Sequence, residues 1–255
     1  MRKLYLVHWN IQGMKDTFDK VLGCEKEDNK SIIYCLNEVN TRLIKSNCLQ
    51  FKKGTDLMVT GRAKKTNILV SKSQNSGNID FIGYGYDSFK YRVVKAELFI
   101  KGYPLKIITF HSPSGSGNSY QISGSKVKAY FYNMMIDIVK KEKPDIITMD
   151  ANEPEFLNGD NFRNWVFYDN KHKDGKNIDA KVFFSYLFDN YERFSTDFTY
   201  TIKLKNNQKK LKFYDHIFFK SNRLLITNTN YFDSKLESHS SDHKYITVEI
   251  TIIKK

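Results

Sequence analysis

Cysteine is scarce in this chain, and its scarcity removes two architectures at once. Cys24, Cys35 and Cys48 are odd in number and form no C-x-x-C pair, which weighs against both a zinc ribbon and a disulfide framework. Long apolar runs are lacking too: none approaches the roughly 20 residues needed to span a bilayer. Met1-Arg-Lys leads straight into a strand-like segment, not into an apolar signal core with a small-residue cleavage site. Internal repeats, low-complexity tracts and the composition shift of a linker are also missing. The expectation is a soluble, cytoplasmic, monomeric protein forming one domain over residues 1–255. The triplet Asn29-Lys-Ser31 matches a glycosylation sequon, but without secretion it carries no weight.

Negative charge falls short as well. Asp and Glu number 28 against 41 Lys and Arg, a formal net charge of +13. Such an excess favours polyanionic partners, nucleic acid ahead of an anionic membrane surface. What is present in quantity is core material: 40% hydrophobic and 15% aromatic residues mark a folded chain. A chain of 255 residues buries roughly 70–75% of its unfolded surface.

Periodicity divides the chain into short strands and a few helices. Leu4 to Trp9, Ile32 to Leu36 and Asn67 to Ser71 read as strands, with a short helix over 15–22. Ser73 to Asn78 is polar and reads as a loop. Tyr91 to Ile100 and Leu105 to Phe110 form a hairpin across Lys101-Gly-Tyr-Pro104. After the loop Ser112 to Gly117, residues Val127, Tyr130, Phe131, Met134, Met135, Ile138 and Val139 recur at helical spacing up to Pro144. A second helix is expected near 180–188, and late strands near 196–204, 211–220, 224–232 and 244–253. Alternating strands and helices with late hairpins predict an α/β domain with a mixed sheet.

Chemistry collects where apolar strands stop. Ile146 to Met149 ends on Asp150 and Asn152, with Pro154 preventing continuation in the middle of a sheet. Asn10, Glu38, His111, Asp215, Asp242 and His243 stand at similar breaks. No two of these motifs share a zinc-like spacing; His239 and His243 are four apart but flank a loop entering a strand. The set suits an oxygen-ligand site for Mg²⁺ or Mn²⁺, with histidine available for proton transfer.

Six segments occur in order: Trp9-Asn-Ile-Gln-Gly13, Leu36-Asn-Glu-Val39, Phe110-His-Ser-Pro113, Met149-Asp-Ala-Asn152, Tyr214-Asp-His-Ile-Phe218 and Ser241-Asp-His243. Together they resemble the motifs of the endonuclease/exonuclease/phosphatase superfamily, over nearly the whole chain. The resemblance implies a four-layer α/β sandwich, two packed mixed β-sheets flanked by helices. It implies Glu38 as the principal metal carboxylate with Asn10 and Asp242 beside it, and Mg²⁺ as cofactor, Mn²⁺ being an alternative. Asp150 is then expected to orient or deprotonate the attacking water, Asn152 to hold a phosphate oxygen, and His243 to contact the scissile phosphate. Asp215 is expected to fix the tautomer of His243, and His111 to stand where the deoxyribonuclease branch has a second catalytic histidine. There are departures. Gln12 replaces a metal-associated Asp of the apurinic-type enzymes, no Glu stands near Thr66-Asn67 to support His111, and no Arg stands two residues before Asp215. These weigh against abasic-site repair.

Substrate class is read from local charge. Lys203, Lys205, Lys209, Lys210 and Lys212 surround Asn206-Asn-Gln208 as a basic hairpin ahead of Asp215, and Arg42, Tyr91 and Arg92 are further expected contacts. Lysines bind backbone phosphate without reading sequence. The expected activity is a Mg²⁺-dependent phosphodiesterase, an endonuclease on DNA with low sequence specificity. The alternatives are a phosphatase or lipid phosphodiesterase on the same frame, and a non-catalytic nucleic-acid-binding protein.

Overall fold

Alternation along the strands decides which residues meet. In chain order the strands begin with β1 (Arg2–Asn10), β2 (Ile32–Val39), β3 (Lys65–Val70), β4 (Asn75–Phe81), β5 (Val93–Ile100) and β6 (Tyr103–His111). Two short strands, β7 (Asn118–Ser119) and β8 (Ile122–Ser123), precede helix α1 (Gly124–Glu142) and strand β9 (Ile146–Asp150). Helix α2 (Ile178–Asn190) follows, then β10 (Glu192–Phe194), β11 (Tyr200–Lys203) and β12 (Lys209–Lys212). The chain closes with β13 (Asp215–Phe219), β14 (Leu224–Phe232) and β15 (Tyr245–Ile252). This computed structural model describes residues 2–11, 32–39, 65–70, 75–81, 89, 92–100, 103–114, 118–119, 122–154, 165, 167, 178–194, 200–203, 209–232, 243 and 245–253.

Among the described residues the strands form a five-stranded sheet, β14-β15-β1-β2-β3, and a six-stranded sheet, β10-β13-β9-β6-β5-β4. Each is mixed and carries one parallel pair, β1 with β2 and β6 with β9. Leu4 and Leu6 of β1 and Ile33 and Cys35 of β2 pack against Leu105 and Ile107 of β6, Ile146 of β9 and Ile217 of β13, so the sheets lie face to face. Burial pushes the Cys35 thiol up to about 12, which makes it an inert core residue.

The intervening residues of the six-stranded sheet point the other way. Ile108, Phe110, Ile147, Met149 and Phe218 pack against Phe131, Tyr132 and Met135 of α1 and Phe183, Phe184 and Leu187 of α2. Val7, Trp9, Tyr34 and Leu36, on the far face of the five-stranded sheet, are buried as well. Among the described residues, each sheet therefore carries buried side chains on both faces, as in an α/β sandwich.

Two local readings of the sequence are corrected. The stretch Ser73 to Asn78 runs into a strand: Asn75–Phe81 is β4, paired antiparallel with β5 at the sheet edge, with a register shift between Ser76 and Ile79. Its polar composition suits an edge strand, where charge and irregularity discourage further pairing. Residues 211–220 hold two strands instead of one, β12 ending at Lys212 and β13 starting at Asp215 in another sheet. The helix expected over 15–22 lies outside the described residues.

His216 illustrates how alternation separates neighbours. Asp215 faces the opposite sheet, whereas His216 faces the helices, stacked on Trp165 at 5.6 Å and 29° and donating from Nε2 to the Glu153 carbonyl at 2.8 Å. Burial, with the nearby Arg193 charge, lowers its pKa to about 3 from an ordinary 6.5. The unfolded chain thus takes up this proton first, so stability falls as pH drops through 6.5 towards 3. Urea unfolding should register a loss from this group of about 2–3 kcal/mol between neutral pH and two units below the ordinary imidazole value. His216→Gln should show a correspondingly smaller acid loss; an unchanged one would exclude His216 as its source.

Candidate active site

The parallel strands deliver their C-terminal ends to one pole of the sandwich, the usual place for a site in α/β sheets. Asn10 ends β1, Glu38 lies at the end of β2, His111 ends β6 and Asp150 ends β9. Across the six-stranded sheet, His111, Asp150 and Asp215 stand in direct register. A cleft of about 240 Å³ is lined by Asn10, Glu38, Arg92, His111, Ser114, Asp150, Asn152 and His243.

Backbone shape aims two of these side chains. Glu38 has φ 53° and Asn152 φ 50°, in the left-handed region that costs a non-glycine residue energy. Glu38 sits in a register shift between Leu36 and Val39, which takes it out of the strand's regular alternation. Of the three left-handed non-glycine residues described, these two line the cleft and Lys143 (φ 48°) does not; such strain at a cleft is a recognised mark of functional positions.

Asp150 is the hub. Its Oδ2 accepts from Asn10 Nδ2 at 2.8 Å and lies 3.5 Å from His111 Nε2 and 3.8 Å from His243 Nε2. Its Oδ1 accepts from the Asn152 amide nitrogen at 3.1 Å. Glu38 Oε1 reaches to 3.9 Å from the same His111 nitrogen. Burial, together with the Arg92 and His243 charges, holds His111 below the usual imidazole range against the pull of Asp150 and Glu38. That direction favours the neutral imidazole, which can act as a base or a polar contact. Arg92 donates from Nη1 to the carbonyls of His111 and Ser112 at 3.2 and 3.3 Å, tying β5 to the end of β6.

His243 is fixed from two sides. Its carbonyl accepts from Trp9 Nε1 at 3.0 Å, and its Nδ1 lies 2.7 Å from Asp215 Oδ2. Burial alone raises the Asp215 pKa, but attraction to His243 and hydrogen bonds from His243 and His8 outweigh it and hold the carboxyl well below the usual range. Asp215 is therefore an anion that receives Nδ1–H, leaving Nε2 of His243 turned towards the cleft.

The loop after β9 is braced from behind. Lys128 of α1, 1% exposed, donates to the Asn152 carbonyl at 2.8 Å and to Glu153 Oε1 at 2.7 Å. Asn152 in turn donates from Nδ2 to the Ser112 carbonyl at 3.0 Å. Replacing Lys128 by Met takes the ammonium away from buried Glu153 and should cost about 3–5 kcal/mol in urea unfolding. Lys128→Met with Glu153→Gln should recover at least half of that loss; a single variant as stable as the parent would exclude this brace.

The donors present are carboxylate and amide oxygens with two imidazoles, a hard set that suits Mg²⁺ or Mn²⁺. Asp150, Asp215 and His243 offer ligand atoms within 4.8 Å of one another, and Glu38 shares the cleft with two of them.

No family profile matches the chain, and no curated protein resembles it in sequence. Solved structures do resemble it in shape. TDP2 from D. rerio, complexed with single-strand DNA product, matches with a TM-score of 0.62 at 16% identity over 98% of this chain and 100% of its own. The 3'-5' exonuclease NExo from Neisseria meningitidis matches at 0.65 and 14% identity, over 96% of this chain and 98% of its own. An AP endonuclease from Archaeoglobus fulgidus matches at 0.61 and 15% identity, over 96% and 98%. The chain has the endonuclease/exonuclease/phosphatase fold.

Within that fold, the structure brings Asn10, Glu38, His111, Asp150, Asn152 and His243 to one cleft, with Asp215 directly behind His243. Asp242, Arg42, Tyr91 and Lys205 lie outside the described residues. Arg92 lines the cleft itself. Lys203, Lys209 and Lys210 are on the antiparallel β11–β12 ribbon, Lys203 paired with Lys209 and Lys210 with Ile202. Lys212 is corrected: it is 1% exposed, its ammonium 5.8 Å from the Tyr214 ring centre, so it is not a surface contact for a duplex.

The sequence reading passed over four residues of the site's surroundings. Ser114 lines the cleft, His8 contacts Asp215, and Asn37 donates to the Phe110 carbonyl at 3.3 Å across the two sheets. Lys128 is the fourth. Of these, His8 and Asn37 carried a signal, since each is a polar residue at an inward position of an otherwise apolar strand.

Proposed function

We propose that this protein is a Mg²⁺-dependent phosphodiesterase, an endonuclease that hydrolyses DNA backbone phosphodiesters with low sequence specificity, acting as a monomer of one catalytic domain. One observation carries the reading: Glu38, His111, Asp150, Asn152 and His243, from four separate segments, line a single polar cleft. Similar structures include a DNA-bound TDP2, an exonuclease and an AP endonuclease, which favours a DNA phosphoester as substrate.

Glu38 and Asn10, with Asp242 next to His243 in sequence, would hold the cation, which would supply positive charge to offset that of the phosphate. Asp150, fixed by donors from Asn10 and Asn152, orients a water and takes its proton as the oxygen attacks phosphorus in line with the leaving group. The phosphorus–oxygen bond on the opposite side breaks, and the leaving oxygen takes up a proton, from His243 Nε2 or from water, to depart as an alcohol. His243, held by Asp215, hydrogen-bonds the phosphate and takes part in the proton transfer. Asn152 and Arg92 steady phosphate oxygens at the cleft wall, and neutral His111 contacts the same group.

Lys203, Lys205, Lys209 and Lys210 follow the nucleic-acid backbone. Replacing these four by Ser should weaken DNA binding for all sequences alike and flatten its salt dependence by about 0.9 log unit for each phosphate no longer neutralised; an unchanged salt slope would remove the ribbon from the interface. The deciding test of the function is supercoiled plasmid in millimolar Mg²⁺, with and without chelator. Nicked or linear product only without chelator is expected. Plasmid left intact in both Mg²⁺ and Mn²⁺ would overturn the nuclease reading.

A further inference from the structure

The hydrolase reading assigns nothing to His8, yet His8 is the residue on which the Asp215–His243 pair rests. It projects from β1 between the sheets, is 0% exposed, and places Nε2 3.1 Å from Asp215 Oδ1. Among the described residues its Nδ1 has no hydrogen-bond partner. These facts select one tautomer. A lone pair on Nε2 facing a carboxylate oxygen at 3.1 Å is repulsive, and it would leave an Nδ1–H buried without an acceptor. Orphaned buried N–H groups are rare and costly, orphaned acceptors less so. The proton is therefore on Nε2, donated to Asp215.

Asp215 then accepts two imidazole N–H groups, one on each oxygen: His8 on Oδ1 and His243 on Oδ2 at 2.7 Å. We infer that His8 is a positioning residue, the rear member of a His8–Asp215–His243 chain that locks the Asp215 carboxylate and through it the Nδ1–H tautomer of His243. The inference rests on the phosphodiesterase reading only for its effect on rate. Without His8, Oδ1 lies in the interior with one donor fewer, and the carboxylate gains by turning about its χ2 torsion towards another. That turn loosens the bond to His243 and lets its ring occupy both tautomers.

The test uses ¹⁵N-labelled imidazole NMR on the intact chain, with steady-state plasmid nicking alongside, for the parent, His8→Phe and His8→Gln. The parent should show His8 protonated on Nε2 with bare Nδ1, and His243 as a single Nδ1–H tautomer. His8→Phe keeps a ring but no donor; His243 should become a tautomer mixture and kcat should fall about 10- to 100-fold, as for other orienting partners of active groups, with KM within about twofold of the parent. The amide of Gln reaches close to the place of Nε2, so His8→Gln should restore one tautomer and most of kcat. His8 protonated on Nδ1 in the parent, or a single His243 tautomer in both variants, would overturn the proposal. So would a Gln variant no better than Phe. A parent that cuts no plasmid but shows the expected tautomers sinks the nuclease reading alone and leaves the positioning role standing; should the Phe variant fail to fold, the parent's own tautomers and the Gln variant decide.

Discussion

Asp150→Asn is expected to lower plasmid cleavage at least about a thousandfold in kcat, the scale of losing a general base and its charge together. Asp150 is where the side chains of the cleft converge: Asn10, His111 and His243 all approach its Oδ2. The same substitution should also cost stability, because Asp150 accepts an N–H on each oxygen, from Asn10 Nδ2 and from the Asn152 backbone. An asparagine has one acceptor oxygen, so either orientation of its amide sets one donor against another. About 1–3 kcal/mol is the expected loss in urea unfolding. Exchanging the pair, Asn10→Asp with Asp150→Asn, restores a donor and an acceptor in complementary places and should return much of the stability without the activity. Cleavage within tenfold of the parent in Asp150→Asn would dismiss Asp150 as the carboxylate of the attacking water.

Glu38→Gln is expected to raise the Mg²⁺ concentration for half-maximal cleavage more than about a hundredfold and to lower the maximal rate by a similar factor, since Mg²⁺ relies on few protein carboxylates. Gln keeps the volume and the left-handed backbone, so melting should barely change. Glu38→Gly separates the two roles of this position. At φ 53° a glycine has no Cβ penalty, so the variant should be at least as stable as the parent while cleaving no plasmid. A Mg²⁺ titration curve that Glu38→Gln leaves in place would move the cation away from Glu38.

His111 and His243 differ in the support they receive, and this bears on the departures from the family pattern. His243 has a buried anion on its rear nitrogen, whereas Nε2 of His111 faces the cleft carboxylates themselves. In the proposed mechanism this makes His243 the oriented proton-transfer group and His111, its pKa lowered chiefly by burial, a wall of the phosphate site.

The strand ends were legible in the sequence. Asn10, Glu38, His111 and Asp150 all stand at or beside the end of an apolar run, and each such run is a strand, whereas Asp215 opens β13. Helix α1 was legible from its spacing, but its buried stripe was not: Tyr130 is 54% exposed while Lys128 lies within the stripe. A residue four positions before Tyr132 falls on the same helix face whatever its type, and Glu153 on another segment makes a lysine acceptable there. The polar β4 was illegible for the opposite reason, since its pairing is supplied by β5.

Sequence by itself determined most of the elements, though not β4 or the break between β12 and β13, together with the order of the six motifs and the hard-oxygen character of the donors, because these follow from local periodicity and side-chain chemistry. Tertiary structure alone decided that Asp215 faces His243 while His216 faces the helices, that Lys128 and Lys212 are buried, and that His8 completes a chain with Asp215. Those outcomes depend on which strand lies opposite which. Strands β1 and β13 belong to different sheets and lie more than two hundred residues apart in the case of His8 and Asp215, and no local pattern encodes a contact made across that distance.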